Sequence, residues 1–502
     1  MNFSSMAHRN TMRKTVAIIG GGFAGLSSAC SLAARGFDVT LLEKNTSTGG
    51  RGRSFSQNGY SFDMGPSWYW MPGVFEEFFA SFDKNVADYY ELKRLDPSYR
   101  VFFNSQESLD VPADYQAFKR MIEVLEPGSG PRLDKFIKEA KAKYEASMNE
   151  FVWKPSHSIS EYVSPQLLRA SFRMQLFSSF SNHARRYFSH PKILKLLEFP
   201  ILFLGAKPEK TPAMYSMMNY ADIILGTWYP IGGMVRIGEA MTKLANELGV
   251  KIITSSDVKK IQVSGNKAHT LFYNNTSLTA DAVVAAADYH HVERNLLEPE
   301  FRSYKESYWE SRAMSPSTLI FYVGIDKKVE GLEHHNLFFD QDFEAHARAI
   351  YDDKAWPSNP LFYVCCPSRT DHSVAPAGKE NVFILIPVAT GLTSSEEDRR
   401  KYFDQCLDRI KVQTGEDLSG HIEYYRSYAH EEFIQDYHSF KGNAYGLANT
   451  LRQTAVFKPK MKSRRVKNLF YAGQLTVPGP GVPPSIISGR IAAVEVENYL
   501  TR

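Results

Sequence analysis

The chain has 502 residues, 23% of them charged, and a formal net charge of +4. That balance, with no basic run, excludes an electrostatic footprint for nucleic acid. No stretch approaches the roughly 18 uninterrupted apolar residues of a membrane span, and the longest apolar run, 199–206, falls far short.

Residues 1–11 carry no apolar period and read as a flexible extension. Arg13 and Lys14 before an apolar, small-residue run imitate a secretory signal, but cleavage near Ala33 would delete the glycine loop described next. Val16, Ile18 and Ile19 form a short strand that feeds Gly20, Gly22 and Gly25 in G-x-G-x-x-G spacing, and a helical pattern through Leu26, Ala29, Leu32 and Ala33 follows. Gly20 serves the tight turn, Gly22 lets backbone approach a pyrophosphate, and Gly25 lets helix pack on strand. Phe23 and Ala24 open the helix, whose unpaired N–H groups suit a phosphate. A second strand, 37–42, ends in Glu43 and Lys44, and the acid can accept from a ribose 2′-OH. Together these features predict an adenine-dinucleotide site. The acid disfavours a 2′-phosphate and does not separate NAD from FAD.

Residues 49–53 read GGRGR and 62–66 read FDMGP. In this order the motifs resemble the FAD-dependent amine oxidase and carotenoid desaturase superfamily. The resemblance implies that Gly50 and Arg51 serve the diphosphate side of FAD, and that Gly65 and Pro66 lie near the flavin ring. Trp68-Tyr69-Trp70 and Trp228-Tyr229 are candidates for apolar walls at the flavin face, with ordinary packing as the competing reading.

Further along, GTWYPIGGM (226–234) precedes a helical pattern over 235–248 and strands at 251–254 and 258–263, which by the same resemblance bring Val258 to the adenine. The strand 282–286 leads into Asp288-Tyr289-His290, a strand end that the resemblance puts beside the cofactor. Runs 319–323, 361–365 and 382–387 read as strands of an antiparallel sheet, whereas helical patterns dominate 106–224. Within the latter, Leu167, Leu168, Phe172, Leu176, Phe177, Phe180, Tyr187 and Phe188 mix with Arg169, Arg173, Arg185 and Arg186. That segment reads as a buried helical layer or as an interfacial helix pair. His290-His291 and His334-His335 lack a third ligand at metal spacing, as do Cys30, Cys365, Cys366 and Cys406, so no metal is expected. The cysteines suit a reduced, intracellular chain.

The C-terminal stretch VKNLFYAGQLTVPGPGVPPSIISGRIAA (466–493) reads as a short strand, a Gly/Pro loop and a helix started by Pro483 and Pro484. It resembles the FAD motif of bacterial carotenoid desaturases of the phytoene desaturase type, except that Gly473-Gln474-Leu475 stands where G-A-G is usual. The resemblance assigns Gly473, Gly481, Val482, Pro483 and Ser485 to the cofactor.

A dinucleotide motif at one end and a flavin motif at the other require a discontinuous cofactor domain. The expected fold is α/β: a Rossmann-like FAD domain (12–105, 225–300 and 455–502) and an α+β substrate domain (106–224 and 301–454). The resemblance further implies FAD as cofactor and desaturation of phytoene or a related carotenoid. A hydroxycarotenoid 3,4-desaturase or a carotenoid isomerase are alternatives, and a flavin amine oxidase or a non-catalytic binding protein are less favoured ones. With no second glycine motif for a nicotinamide, oxygen or a quinone is the expected acceptor. The expected location is the cytoplasm, peripherally at the inner face of the cell membrane.

Overall fold

The computed structural model describes residues 13–104, 107–162, 175, 178–202, 205, 207–450 and 452–502. The 1–11 extension and most of the mixed basic and aromatic segment at 163–177 lie outside the described residues.

The organising element is a five-stranded parallel sheet in the order Leu469–Tyr471, Ala282–Ala285, Thr15–Ile19, Asp38–Leu42 and Lys251–Ile253. Three separated parts of the chain build it. Ala282–Ala285 reads AVVA and is buried throughout, as a strand inside a doubly covered parallel sheet must be. One face carries the helix Phe23–Ala34, against which the closing helix Val482–Leu500 and the helix Val235–Glu247 pack.

Small residues permit the closest of these contacts. A Cβ on Gly489 would stand 2.3 Å from the carbonyl oxygen of Ala24, so only glycine allows that approach. Ser27 Oγ donates to the carbonyl of Ile486 at 2.7 Å and Ser28 Oγ to that of Gly489 at 3.0 Å, which satisfies both hydroxyls inside the helix pair. A three-stranded antiparallel sheet, Val258–Ser264, Lys267–Tyr273 and Thr276–Thr279, caps the other side.

A second sheet has seven strands, in the order Ile422–Tyr428, Ser317–Ile325, Glu380–Val388, Phe362–Cys365, His335–Phe338, Tyr99–Asn104 and Glu107–Val111. It is mixed rather than purely antiparallel, because His335–Phe338 and Tyr99–Asn104 run parallel. Its membership also begins at Tyr99, ahead of the expected 105 boundary, since the strand after Pro97 pairs with a strand more than 200 residues downstream. Long-range pairing of this kind leaves no local trace.

Ser317–Ile325 is buried at every position, so it shows no polar alternation. Phe321 and Val323 pack against Phe403 and Ile410 of the helix Glu396–Thr414. The opposite face of the sheet, with Thr318, Leu337 and Leu385, becomes the wall of a cavity. The described helices Gly130–Ala146 and Pro191–Leu202 form a layer across from it. Phe180, Phe188 and Phe199 are buried there, so these aromatics serve packing. Among the described residues no helix is long and apolar enough to cross a membrane.

Candidate active site

Two concavities meet along one loop. The smaller, about 160 Å³, is lined by Gly20, Gly22, Phe23, Ala24, Glu43, Lys44, Gly50, Arg51, Val258, Asp288, Gly473 and Ser485. The larger, about 740 Å³, is lined by Gly65, Pro66, Trp68, Trp70, Gly481, Val482 and Pro483 along with many apolar side chains. Residues 473–476 border the first and 477–484 the second.

The glycines of the first loop divide their work. Gly20 has φ +99° and lies under the chain at Ala286, whose carbonyl oxygen a Cβ would meet at 3.0 Å. Gly25 lines neither concavity; its Cβ would stand 1.9 Å from Gly20 O, so it is a packing glycine. Gly22 is different. A Cβ there would meet nothing nearer than Gly50 Cα at 3.8 Å, leaving open space over two facing glycines.

Glu43 is buried at the end of its strand. Its Oε2 accepts from Gly21 N at 2.6 Å and its Oε1 from Asn45 N at 2.7 Å. The carboxylate thus holds both sides of the cleft while each oxygen keeps a further lone pair. Lys44 lines the cleft, and its Nζ donates to the carbonyl of Gln435 in the segment above. Arg51 Nη2 donates to Ser439 Oγ at 2.5 Å and to the carbonyl of Asn443 at 3.1 Å, while its buried Nε has no partner. Asp288 caps the turn at His291 N (3.2 Å) and accepts from Phe440 N (3.1 Å). Burial raises its pKa above the usual carboxylate range.

The GQL departure is accommodated. Gln474 Nε2 donates to Asn443 Oδ1 at 2.7 Å, and the amide of Gly473 donates to Ser488 Oγ at 2.9 Å. The closing helix begins at Val482, where Pro483 and Pro484 have no N–H and Ser485 N already donates to the carbonyl of Gly481 at 3.0 Å. The helix start therefore presents the amide of Val482 as its available first-turn donor.

Of the aromatic candidates, Trp68 lines the large cavity and Trp70, its neighbour but one, does too. Tyr69 does not. It lies between them on extended chain and points the other way, stacked on Phe75 at 4.2 Å with its hydroxyl 3.0 Å from that of Tyr90. Trp228 and Tyr229 also lie outside the cavity. Trp228 Nε1 donates to Leu225 O at 2.8 Å, and Tyr229 OH reaches Asp371 at 3.4 Å. Thr227, just before them, holds Trp70: its Oγ1 accepts from Trp70 Nε1 at 2.8 Å, next to the buried acid Asp222, which accepts from Tyr99 OH at 2.9 Å.

Two groups in these walls, 436–438 and Tyr363, had no sequence signal. Asp436, Tyr437 and His438 close the small cleft from above, His438 stacking on His291 at 3.9 Å. Tyr363 lines the cavity with its hydroxyl 2.6 Å from His335 Nδ1, and His335 stacks on Trp68 at 4.0 Å. Cys365 stands opposite His335 in the sheet, so the donor atoms of His334, His335 and Cys365 fall within 4.8 Å of one another.

A parallel sheet with a glycine loop, an acid at the second strand end and a long C-terminal helix aimed at an apolar cavity define a flavoprotein oxidoreductase. The sequence matches the flavin containing amine oxidoreductase family over residues 23–497, and the chain belongs to that family. It is 41% identical over 481 residues to the carotenoid 3,4-desaturase of Haloarcula japonica, covering 95% of this chain and 97% of the relative. It is 30% identical to the zeta-carotene-forming phytoene desaturase of Myxococcus xanthus, covering 96% and 93%. Among solved structures, an oxidoreductase from Methanosarcina mazei aligns with TM-score 0.61 at 16% identity over 95% of this chain and 98% of that one. Cyclohexylamine oxidase from Brevibacterium oxydans aligns with TM-score 0.59 at 15% identity over 98% and 100%. These last two establish likeness of fold.

Proposed function

We propose that the chain is an FAD-dependent carotenoid desaturase. The observation that carries this reading is that one loop, residues 473–485, borders both concavities: a polar, glycine-lined cleft suited to a dinucleotide on one part and a large apolar cavity on the next. The residues fit FAD. Gly22 and Gly50 leave room where a diphosphate would approach, Glu43 retains acceptor capacity for a ribose, and the closing helix starts at Val482 in the cavity wall, where its N-terminus would favour negative charge on a bound flavin.

When bound, FAD supplies the hydride acceptor that no side chain can be. The chain's own residues do the rest. Trp68, Trp70, Phe199 and Phe339 wall the cavity, align an apolar chain and exclude water from the reacting carbons. Removal of a hydride and a proton then leaves one new double bond. Reoxidation by oxygen or a quinone completes the cycle in this reading.

The substrate class follows from the lining. No Asp or Glu lines the cavity among the described residues, so a cationic amine would find no counter-charge there, and a hydrocarbon loses nothing. The relative at 41% identity is named a carotenoid 3,4-desaturase, against 30% for a phytoene desaturase, which favours a 3,4-type reaction over phytoene desaturation.

A membrane surface supports the same reading. Ile159 and Phe457 line the cavity yet are 62% and 55% exposed, so its mouth has an apolar rim suited to taking substrate from lipid. In that reading the enzyme is peripheral to the inner face of the cell membrane.

The test is anaerobic incubation of flavin-loaded protein with dispersed carotenoids. The expected result is one round of flavin bleaching with a product two mass units lighter. A product of unchanged mass formed with reduced flavin would make the chain an isomerase, and turnover of amines instead would overturn the reading.

A further inference from the structure

Tyr215, Tyr351, Tyr363 and Tyr445 line the large cavity, and of these Tyr363 has its hydroxyl on an imidazole, 2.6 Å from His335 Nδ1. Sheet register makes the contact. Tyr363 stands opposite Leu337, so His335, two residues back along that strand, is its diagonal neighbour on the same face. Trp68 stacks on the imidazole at 4.0 Å and 13° between planes, which fixes the ring against the hydroxyl. His335 Nε2 is buried without a partner, and so is Nε2 of His334, whose ring centroid lies 4.5 Å away. Nδ1 of His334 is 2.8 Å from Oγ1 of Thr370, which is only half-buried. Two orphaned imidazole nitrogens in one patch are costly to keep. Together these groups lead from the cavity wall toward the surface.

Desaturation takes a proton as well as a hydride from the substrate, yet no Asp or Glu lines the cavity among the described residues. The other basic side chains there are engaged. His346 donates from Nε2 to the carbonyl of Pro387 at 2.9 Å and accepts at Nδ1 from Leu361 N at 2.7 Å, so no lone pair is left. Lys154 donates to the carbonyl of Glu161 and offers no acceptor. At Tyr363, burial holds the hydroxyl pKa well above its ordinary value and that of His335 well below, so the pair rests uncharged with the proton on oxygen. The groups facing it are Cys365, whose Sγ lies 3.7 Å from His335 Nδ1 and whose thiol burial keeps neutral, and His334, with Asp371 and Lys93 beyond. A neutral pair is a weak base. It suffices here, because a chain that has lost a hydride carries positive charge beside the remaining C–H and gives up that proton readily.

Resting on the reading of the chain as a carotenoid desaturase, we propose that Tyr363 is the catalytic proton acceptor of the reaction and that His335 takes the proton on from it. One C–H bond loses its electron pair with the hydride, which passes to FAD. The neighbouring C–H bond breaks, its electron pair becomes the new double bond, and its proton goes to the Tyr363 oxygen as the hydroxyl proton crosses to His335 Nδ1. Tyr363 is thus neutral before and after, and His334 and Thr370 provide the way out for the proton left on His335. Ser67, one residue after Pro66, interacts with the same hydroxyl, which puts the acceptor at the part of the wall where the desaturase reading has the flavin ring.

The experiment follows anaerobic flavin bleaching in a single turnover of flavin-loaded wild type, Tyr363→Phe and His335→Asn, with phytoene or a hydroxylated acyclic carotenoid, whichever the wild type desaturates. Dissociation constants of FAD and of the carotenoid are measured alongside. His335→Asn keeps an acceptor for the Tyr363 hydroxyl but cannot take its proton, so it separates holding from proton transfer. Each variant should bleach at least about tenfold more slowly than wild type, with both dissociation constants within about twofold. A smaller loss in Tyr363→Phe overturns the proposal, as does a loss matched by weaker binding. Wild-type bleaching in His335→Asn overturns the part given to His335 and leaves it a structural residue. A stoichiometric metal ion held by His334, His335 and Cys365 in the purified protein also overturns the proposal, because the imidazoles would then be occupied. If the wild type desaturates neither carotenoid, the failure belongs to the desaturase reading itself.

Discussion

Glu43 Oε2 accepts a hydrogen bond from the amide of Gly21 at 2.6 Å, tying the acid that ends the second strand to the turn that ends the first. The same carboxylate therefore shapes the cleft and offers acceptors to what enters it. Glu43→Ala should lower FAD affinity by about 1.5–3 kcal/mol, roughly ten- to a hundred-fold in Kd, and lower Tm as well. Glu43→Gln, which keeps an acceptor without the charge, should fall between. Flavin fluorescence titration with a parallel thermal melt separates the two effects, and unchanged affinity in the alanine variant would remove Glu43 from the site.

The two glycines of the loop should fail in different ways. Gly22→Ala meets nothing closer than 3.8 Å, so it should fold with a Tm near wild type and bind flavin poorly. Gly25→Ala drives a methyl to 1.9 Å from Gly20 O and should lose several kcal/mol of stability or not fold. Melts of the flavin-free proteins check the first half and flavin uptake the second.

A third expectation concerns pH. Burial pushes the Asp222 carboxyl up to about 7, above its ordinary value near 4. The folded state then holds this proton more tightly than the unfolded state. Its contribution to stability is fully present below about pH 4 and is lost as pH rises through about 7. Asp222→Asn imitates the protonated acid. It should melt close to wild type at about pH 4 and gain on it progressively up to pH 8, and a difference that is flat with pH would show that the carboxyl is ionised throughout.

Filling the cavity should separate substrate from cofactor. Leu385→Trp adds bulk to the sheet face of the large cavity while leaving the glycine cleft untouched. Carotenoid turnover should fall at least about tenfold, through KM and kcat together, with flavin content unchanged. Parallel loss of flavin would mean that the two concavities do not act separately.

What the sequence disclosed about this site follows the range of the interactions that make it. Gly20, Gly22, Gly25 and Glu43 were readable because one βαβ unit contains their whole rationale within 30 residues. The helix start at Val482 was readable for the same reason, since two prolines define it locally. Tyr69 and Trp228 misled because composition marks an aromatic without saying which way it points. Trp68 and Trp70 face the cavity and Tyr69 does not, a fact decided by the alternation of extended chain. Asp436, Tyr437 and His438 reach the cleft from more than 400 residues beyond the glycines, and Cys365 meets His335 only through sheet register. The parallel pairing of Tyr99–Asn104 with His335–Phe338, which brings strand 99–104 into the second sheet, is equally invisible to periodicity.

The five-stranded sheet has a consequence for biosynthesis. Its strand order joins residues 15–19 to 282–285, and those in turn to 469–471, so the cofactor cleft acquires its last wall only when the final helix has left the ribosome. Until then Ala282–Ala285 has an unpaired edge, and the Phe23–Ala34 helix lacks the partner that covers Ser27 and Ser28. A nascent chain of this protein must carry an apolar, half-built nucleotide fold through most of the synthesis of these 502 residues.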